Sequence, residues 1–213
     1  RKVVQKAMSI INATLPIQMK VIAKSGFNNY TLLLNHKEVS TKSLIELEIG
    51  AEYLAELYTS KGGVITFKNL YKKPYIARFE DGLALIVRLL DEPNFDFKAF
   101  VLNELMNCTD LASFRIYKEM LFAIFQGIYH IPFVFENKPC LFQLHCDSEK
   151  CELFLIFSVF GNLKFSIFHS QSELKTPFFK VMEFLKKHLK TPIVQEKGIE
   201  PLFEFKRRLD FRG

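Results

Sequence analysis

The stretch CELFLIFSVFGNLKFSIF, residues 151–168, decides the fold class. Its first ten residues are largely apolar on both faces, which is typical of a central strand covered on each side. Gly161 and Asn162 then form a two-residue turn signal of the kind that joins antiparallel strands. Beyond the turn, Leu163, Phe165 and Ile167 alternate with their neighbours along a second strand. The stretch therefore predicts a β-hairpin inside a sheet.

The segments on either side extend this hairpin into a mixed α/β domain. Upstream, the residues from Cys140 to Cys146 alternate along a strand. Downstream, Thr176 and Pro177 open a helix, as a hydroxyl cap followed by proline does. A last strand over residues 202–205 precedes a basic C-terminus. We predict one α/β domain, with a β-hairpin and a helix, over residues 131–213.

The middle of the chain, residues 75–130, predicts helices. Apolar residues recur at helical spacing from Phe79 to Leu90, before a stop signal at residues 91–93. A second run follows Asp96 and a third follows Asp110, and aspartate suits the N-cap of a helix.

Residues 1–74 predict a small β-rich domain. Turn clusters at residues 25–29, 35–37 and 60–63 separate about five short strands. Short strands joined by tight turns favour a small antiparallel barrel of the OB or SH3-like kind, with a leading helix over residues 1–14. The full prediction is an α+β fold: an N-terminal β-barrel, central helices and a C-terminal mixed α/β domain.

Composition restricts the class of protein. Apolar types make up 49% of the 213 residues and charged types 24%, which excludes disordered and low-complexity chains. The 23 phenylalanines fall largely at positions that the periodicity assigns to buried faces, among them Phe97, Phe114 and Phe125. The longest uncharged apolar stretch, residues 120–135, is interrupted and shorter than the about 20 residues of a membrane span, so it predicts a buried helix and its exit. We expect a cytoplasmic protein without membrane insertion, and the start at Arg1 leaves open that the chain is a fragment.

Motifs of catalysis and cofactor binding are missing from the sequence. There is no GxSxG, Walker loop, GxGxxG or HExxH, and we expect neither enzymatic activity nor a cofactor. One cluster, Cys140, His145, Cys146 and Cys151, holds residue types that bind zinc, but it lacks CxxC spacing. Adjacent residues such as His145 and Cys146 point to opposite faces of a strand. Buried, reduced thiols suit these cysteines better, and metal binding stays an open alternative.

The net charge of +6 permits an acidic partner. Lysines and tyrosines near the end of the β-rich domain suit single-stranded nucleic acid, because cations hold phosphates while rings stack on bases. A basic cluster at the C-terminus adds phosphate contacts. The candidate nucleic-acid-binding residues are Lys68, Tyr71, Lys72, Lys73, Lys206, Arg207 and Arg208. Binding of nucleic acid by an OB-like barrel is the alternative function.

The order of elements over residues 139–199 carries a resemblance to a known family. The order is strand, strand, glycine-containing turn, strand, short strand, helix and strand, with the hairpin of residues 151–168 inside it. It resembles the C-terminal domain of bacterial flagellar hook-length control proteins. The β-rich region is similar to the segment before that domain in some relatives, with a Tyr-x-Leu strand at Tyr30, an Ile-Gly turn at Ile49 and a Lys-Pro exit at Lys73.

The resemblance implies a non-enzymatic switch module that acts by protein–protein contact. Such a module contacts the cytoplasmic part of the flagellar type III export gate and changes the exported substrate from hook to filament subunits. By position, the contact surface includes the second strand of the hairpin and the helix, residues 161–189. The candidate partner-binding residues on it are Gly161, Asn162, Lys164, Lys180, Lys186 and Lys187.

Overall fold

The computed structural model describes residues 15–34, 36–59, 65–157 and 159–205. Within these ranges the chain forms eleven strands in two sheets and four helices, which confirms the α+β class. Packing divides the chain into two compact units. The first unit holds the described residues up to 75 with 159–161 and 174–199, and the second holds 76–157, 162–173 and 200–205. The domain boundaries expected after residues 74 and 130 stay predictions.

An antiparallel sheet makes up most of the first unit. Its strands are β1 (Ile17–Gly26), β2 (Asn29–Leu34), β3 (Lys37–Lys42), β4 (Glu52–Thr59) and β5 (Ile65–Lys72). Their order is β3-β2-β1-β4-β5, so β3 and β5 are the two edges. The turn between β1 and β2 contains Asn28 at a φ of 60°, a left-handed conformation that asparagine tolerates. The five expected strands are confirmed, and the described residues form an open sheet, not a closed barrel.

One face of this sheet carries the core of the first unit. Alternate residues of β1 and β2 are almost completely buried, namely Met19, Val21, Tyr30 and Leu32. Leu47, between β3 and β4, packs on them, and its N–H donates to the Tyr30 hydroxyl at 3.3 Å. The period of two in β1 and β2 therefore places one apolar face inward.

The second sheet has six strands, β6 (Tyr129–Phe135), β7 (Lys138–Cys146), β8 (Lys150–Phe157), β9 (Gly161–Phe168), β10 (Gln171–Thr176) and β11 (Ile193–Gln195). Their order is β11-β10-β9-β8-β7-β6, with β10 and β11 parallel. The interior position of β8 and the succession of strands and helix over residues 139–199 are as the sequence predicts. The turn expected at Gly161 and Asn162 is wrong, because these two residues begin β9 and the turn precedes them. Two further expectations are wrong. Residues 202–205 are not a strand. Residues 120–135 are expected to form a buried helix and the segment that leaves it, but residues 129–135 of this stretch form strand β6.

Four helices are described: α1 (Gly82–Asp91), α2 (Phe97–Asn107), α3 (Leu111–Ile124) and α4 (Phe179–Lys186). Both expected caps are confirmed, since Asp96 Oδ1 accepts from the Ala99 N–H at 2.9 Å and Asp110 Oδ1 from the Ser113 N–H at 2.8 Å. Helix α4 begins later than predicted, because Thr176 still belongs to β10. Among the described residues, no helix has the length and apolar content that crossing a membrane requires.

Helices α1 to α3 share a core with β6 and β7 in the second unit. A Cβ added at Gly82 would lie 2.0 Å from the Pro132 carbonyl oxygen, so the face of α1 that holds Gly82 is pressed against β6. Leu85 and Ile86 share that face and are buried.

The buried faces of these helices differ in part from the expected ones. In the stripe expected for α1, Ile86 is buried, but Leu83, Val87 and Leu90 are exposed. Phe97 is buried as expected, but Phe114 and Phe125 are 41% and 67% exposed, so the assignment of these two rings to the core is wrong. The helices carry apolar residues on more than one side, and the backbone contact at Gly82 selects the side of α1 that is buried.

Candidate functional site

A groove of about 780 Å³ lies in the first unit, with residues of both edge strands, β3 and β5, in its lining. Met19, Leu32 and Leu47 contribute an apolar base that is almost completely buried. We name this feature the seam groove. Its lining consists of Met19, Leu32, Thr41, Lys42, Ser43, Leu44, Ile45, Leu47, Thr66, Phe67, Lys68, Asn69, Leu70, Pro177 and Lys197. A partly open, mainly apolar concavity of this size is the usual form of a binding site.

The segment after β3 forms one wall of the seam groove. The Ser43 hydroxyl donates to the Ile45 carbonyl oxygen at 2.6 Å and accepts from the Ile45 N–H at 3.3 Å. These bonds hold a tight local turn that directs apolar side chains outward, with Leu44 99% and Ile45 56% exposed. An ordered, exposed apolar pair beside a groove is typical of a contact surface.

The charges in the lining all have one sign. Lys42, Lys68 and Lys197 belong to it, and among the residues that the structure describes no aspartate or glutamate does. Lys68 Nζ lies 4.9 Å from the centre of the Tyr58 ring. Within the described ranges, neither Lys42 nor Lys197 has a carboxylate at ion-pair distance. The seam groove therefore presents a positive rim around an apolar base.

A buried carboxylate lies next to the seam groove and joins its parts. Glu56 of β4 is 1% exposed. Its Oε2 accepts from Asn69 Nδ2 at 2.6 Å and from the Tyr58 hydroxyl at 3.0 Å, while its Oε1 accepts from the backbone N–H of Lys180. Asn69 is itself a lining residue. Burial, together with the negative charge and hydrogen bond of Glu56, raises the pKa of Tyr58 to about 12.

Glu56 acts as an N-cap supplied by another element of the fold. The N–H of Lys180 is in the first turn of α4, where N–H groups have no partner within the helix. The cap residue Phe178 provides no side-chain acceptor, so Glu56 takes that role and also places a negative charge at the positive end of the helix dipole. Lys180 Nζ donates to the Leu57 carbonyl oxygen at 2.7 Å, which ties the same helix to β4 a second time.

The six residues expected to bind a partner differ in accessibility. Gly161 and Asn162 are buried, and a Cβ at Gly161 would lie 2.5 Å from the Phe178 ring, so glycine is needed there. Lys164 Nζ is paired with Glu152 at 3.0 Å. Lys180 is occupied at the start of α4, as described above. Only Lys186 and Lys187 of the six are exposed.

The residues expected to bind nucleic acid are partly neutralised. Lys72 forms an ion pair with Glu48, and Lys73 Nζ lies 3.8 Å from Glu52 with only 9% of its side chain exposed. Tyr71 is half-buried, which leaves Lys68 as the exposed member that lines the seam groove. Lys206, Arg207 and Arg208 lie outside the described residues. The described set does not provide a row of exposed rings and unpaired cations.

The four candidate metal ligands are not brought together. Cys146 and Cys151, opposite each other on β7 and β8, form a disulfide, so the expectation of buried, reduced thiols is wrong for this pair. Direct cross-strand pairing near the hairpin end explains the difference, because it brings the two sulfurs together. Cys140 is a buried thiol, and His145 Nδ1 lies 2.8 Å from the Gly127 carbonyl oxygen. Within the described ranges, no three His, Cys, Asp or Glu side chains are grouped to hold a metal ion.

Sequence reasoning missed two buried polar residues that organise the fold. Besides Glu56, Gln143 of β7 is fully buried; its Oε1 accepts from the Leu202 N–H at 2.8 Å and its Nε2 donates to the Phe203 carbonyl oxygen at 2.6 Å. The side chain of Gln143 thereby holds residues 202–203 in place, although these residues do not form a strand. Its Nε2 also lies 2.9 Å from Nδ1 of His130, and burial lowers the pKa of His130 to about 4. For both Glu56 and Gln143, the sequence feature that could have indicated a buried polar side chain is a polar residue among apolar neighbours in a strand.

Comparison of the chain with protein-family models, curated proteins and solved structures found no match.

Proposed function

We propose that this chain is a non-enzymatic protein-binding module of bacterial flagellar assembly, acting in the manner of hook-length control proteins. One observation supports the proposal most directly, the succession of four strands, a helix and a strand over residues 138–195. In this role the module contacts the cytoplasmic part of the type III export gate and changes the exported class from hook to filament subunits. The cytoplasm is the location that such a contact requires.

We assign this contact to the end of α4. Lys186 is in the last turn, with its Nζ 3.7 Å from Glu183 Oε1, and Lys187 is the C-cap. Both lysines are exposed. Cations at this end are favourable to the helix dipole and attract acidic surfaces. The Phe184 ring packs on Phe160 with centroids 5.8 Å apart, which holds the helix in place behind these lysines. The surface is therefore small, basic and supported by ordered packing.

We also propose that the five-stranded sheet is an incomplete barrel. Its edges β3 and β5 are farthest apart in strand order, yet residues of both line the seam groove. This arrangement suits a sheet that curls toward closure, because a barrel closes only when its two edge strands pair. The seam groove occupies the place of the missing pairing.

The flagellar assignment is tested in the bacterium that encodes the chain. Deletion of the gene should give hooks of abnormal length and reduce export of filament subunits, measured by electron microscopy of isolated hooks and by immunoblotting of secreted protein. Complementation with Lys186→Glu and Lys187→Glu together should fail to restore either property. The control pair Lys98→Glu and Lys138→Glu makes the same charge change at exposed residues of the second unit and should restore both. Normal hooks and normal motility in the deletion strain would refute the assignment.

The nucleic-acid alternative has weaker support. Lys72 and Lys73 are paired with carboxylates. Among the described residues, Phe67 is the one aromatic side chain in the lining of the seam groove, whereas single-stranded nucleic acid needs several exposed rings on which bases stack. Titration with a single-stranded oligonucleotide tests it. Binding that weakens steeply with salt would support this alternative over the protein-binding role.

A further inference from the structure

We propose that the seam groove binds an extended, acidic and apolar peptide segment of a partner protein. The inference rests on the protein-binding part of the proposed function but not on the flagellar assignment. It concerns a surface that shares no residue with the exposed lysines at the end of α4.

The first support is the backbone on both sides of the groove. Within the described residues, β3 pairs only with β2, and β5 pairs only with β4. Each edge strand therefore presents N–H and C=O groups on its outer side, which a further strand can satisfy. Both edges contribute residues to the lining, so a peptide lying in the groove has strand edges beside it. A peptide can form backbone hydrogen bonds with these edges, whereas a fatty acid has no backbone amide groups with which to do so.

The second support is that the groove suits a strand whose apolar and polar side chains alternate. Side chains of an added strand point alternately to opposite faces. One set would reach the apolar base at Met19, Leu32 and Leu47, together with the exposed Leu44. The other set would meet the rim. A partner strand with apolar residues at every second position fits this arrangement.

The third support is charge complementarity. The rim lysines Lys42 and Lys197 are exposed and have no carboxylate partner within the described ranges. Acidic side chains of a partner would supply that charge and direct the peptide to the groove. The chain's own N-terminal stretch, residues 1–14, has the opposite character, since it contains Arg1, Lys2 and Lys6 and no acidic residue. Charge therefore favours a separate partner as the occupant.

The probes are three labelled peptides of about eight residues, the length of an ordinary strand. All three carry the same valine and leucine residues at alternate positions, and they differ in having glutamate, serine or lysine between them. Fluorescence anisotropy with the full chain should give the order glutamate, serine, lysine from tightest to weakest. The glutamate peptide should bind at least about tenfold more tightly than the lysine peptide, because two or three rim lysines attract glutamate side chains and repel lysine side chains.

Variants then localise the binding. Lys42→Glu with Lys197→Glu should abolish the preference for the glutamate peptide, and Leu44→Ser should weaken all peptides by about tenfold, because burial of a leucine is lost. All three positions are exposed, so circular dichroism should show an unchanged fold. The pair Lys98→Glu and Lys138→Glu lies in the other unit and should leave peptide binding unchanged.

Three outcomes would overturn the proposal. They are equal or undetectable binding of the three peptides, retention of the glutamate preference in the rim variant, or tighter binding of oleate or of a thymidine oligonucleotide at the same site. Flagellar phenotypes are read separately. Normal hooks in the deletion strain would remove the flagellar assignment and leave the peptide result intact, while failed peptide binding would leave the genetic test open to succeed.

Discussion

Removing the carboxylate of Glu56 should destabilise the first unit more than any change to an exposed acidic residue. Glu56 is 1% exposed and accepts from three donors, Asn69 Nδ2, the Tyr58 hydroxyl and the N–H of Lys180. In Glu56→Ala these part-buried donors lose their acceptor, and α4 loses its cap.

The size of the effect follows from these contacts. A buried donor left without a partner costs about 1–3 kcal/mol, and loss of an N-cap costs about 1 kcal/mol. Because the three bonds share one carboxylate, their energies do not add in full. We expect Glu56→Ala to lower the free energy of unfolding by about 4 kcal/mol, against a total of about 5–15 kcal/mol for an ordinary domain. Glu56→Gln keeps the shape and one acceptor oxygen, so a loss of about 2 kcal/mol is expected.

Urea denaturation followed by circular dichroism at neutral pH measures both losses, and hydrogen exchange at the amides of α4 locates them. Exchange at the Lys180 amide should accelerate in both variants, and more in Glu56→Ala. The matched control is Glu46→Ala, which removes a carboxylate with 83% of its side chain exposed and should leave the urea midpoint unchanged. The reasoning is wrong if Glu56→Ala is as stable as the control, or if α4 amides keep their protection.

Three further perturbations test other parts of the structure. Burial lowers the pKa of His130 from its ordinary value of 6.5 to about 4. Between these two pH values the unfolded chain binds a proton that the folded protein excludes, so the free energy of unfolding should fall by about 3 kcal/mol from pH 6.5 to pH 4. The variant His130→Asn should flatten the pH dependence of the urea midpoint. Reduction of the Cys146–Cys151 disulfide with dithiothreitol should lower the free energy of unfolding by about 2 kcal/mol, because it opens a short loop. The double variant Cys146→Ser with Cys151→Ser should show no change on addition of dithiothreitol. An unchanged urea midpoint of the wild-type protein after reduction would contradict the prediction. Gly82→Ala should lower the melting temperature through the clash with Pro132, at a cost of about 1–3 kcal/mol, whereas Gly198→Ala, where no atom lies within 4 Å of the added Cβ, should be tolerated.

The strands were predictable because their signal is local. The apolar run of residues 151–157 identified an interior strand, and alternation in neighbouring segments gave the correct succession through β11. Helix starts at Asp96 and Asp110 were equally local, since each aspartate accepts from an N–H three residues later.

The buried faces of the helices were only partly predictable. In α1, Leu83, Ile86 and Val87 have the helical spacing of a core stripe, yet of these three Ile86 alone is buried, together with Leu85. The choice depends on how closely α1 approaches β6, which the missing side chain of Gly82 permits. Periodicity reports that a helix has an apolar face, and packing decides which face is covered.

The candidate site was the least predictable part because its residues meet across long separations. Glu56 and Lys180 are 124 residues apart in the sequence, and the seam groove combines residues of β3 and β5 with Pro177 and Lys197. The sequence marked Lys68 as a binding candidate, but it offered no sign that Lys42 and Lys197 would share its surroundings. The disulfide was missed for a similar reason, because Cys146 and Cys151 become partners only through the register of β7 and β8.

The capping of α4 by Glu56 has a consequence for protein synthesis. At about 5–20 residues per second, Lys180 emerges from the ribosome roughly 6 to 25 seconds after Glu56. By the end of that interval the nascent chain contains all strands of the first sheet but not yet the helix that its buried carboxylate caps. Translation that stops before residue 174 would leave this carboxylate without Lys180 and the first unit without β11. Completion of the first unit is therefore a late event, governed by the arrival of the C-terminal segment.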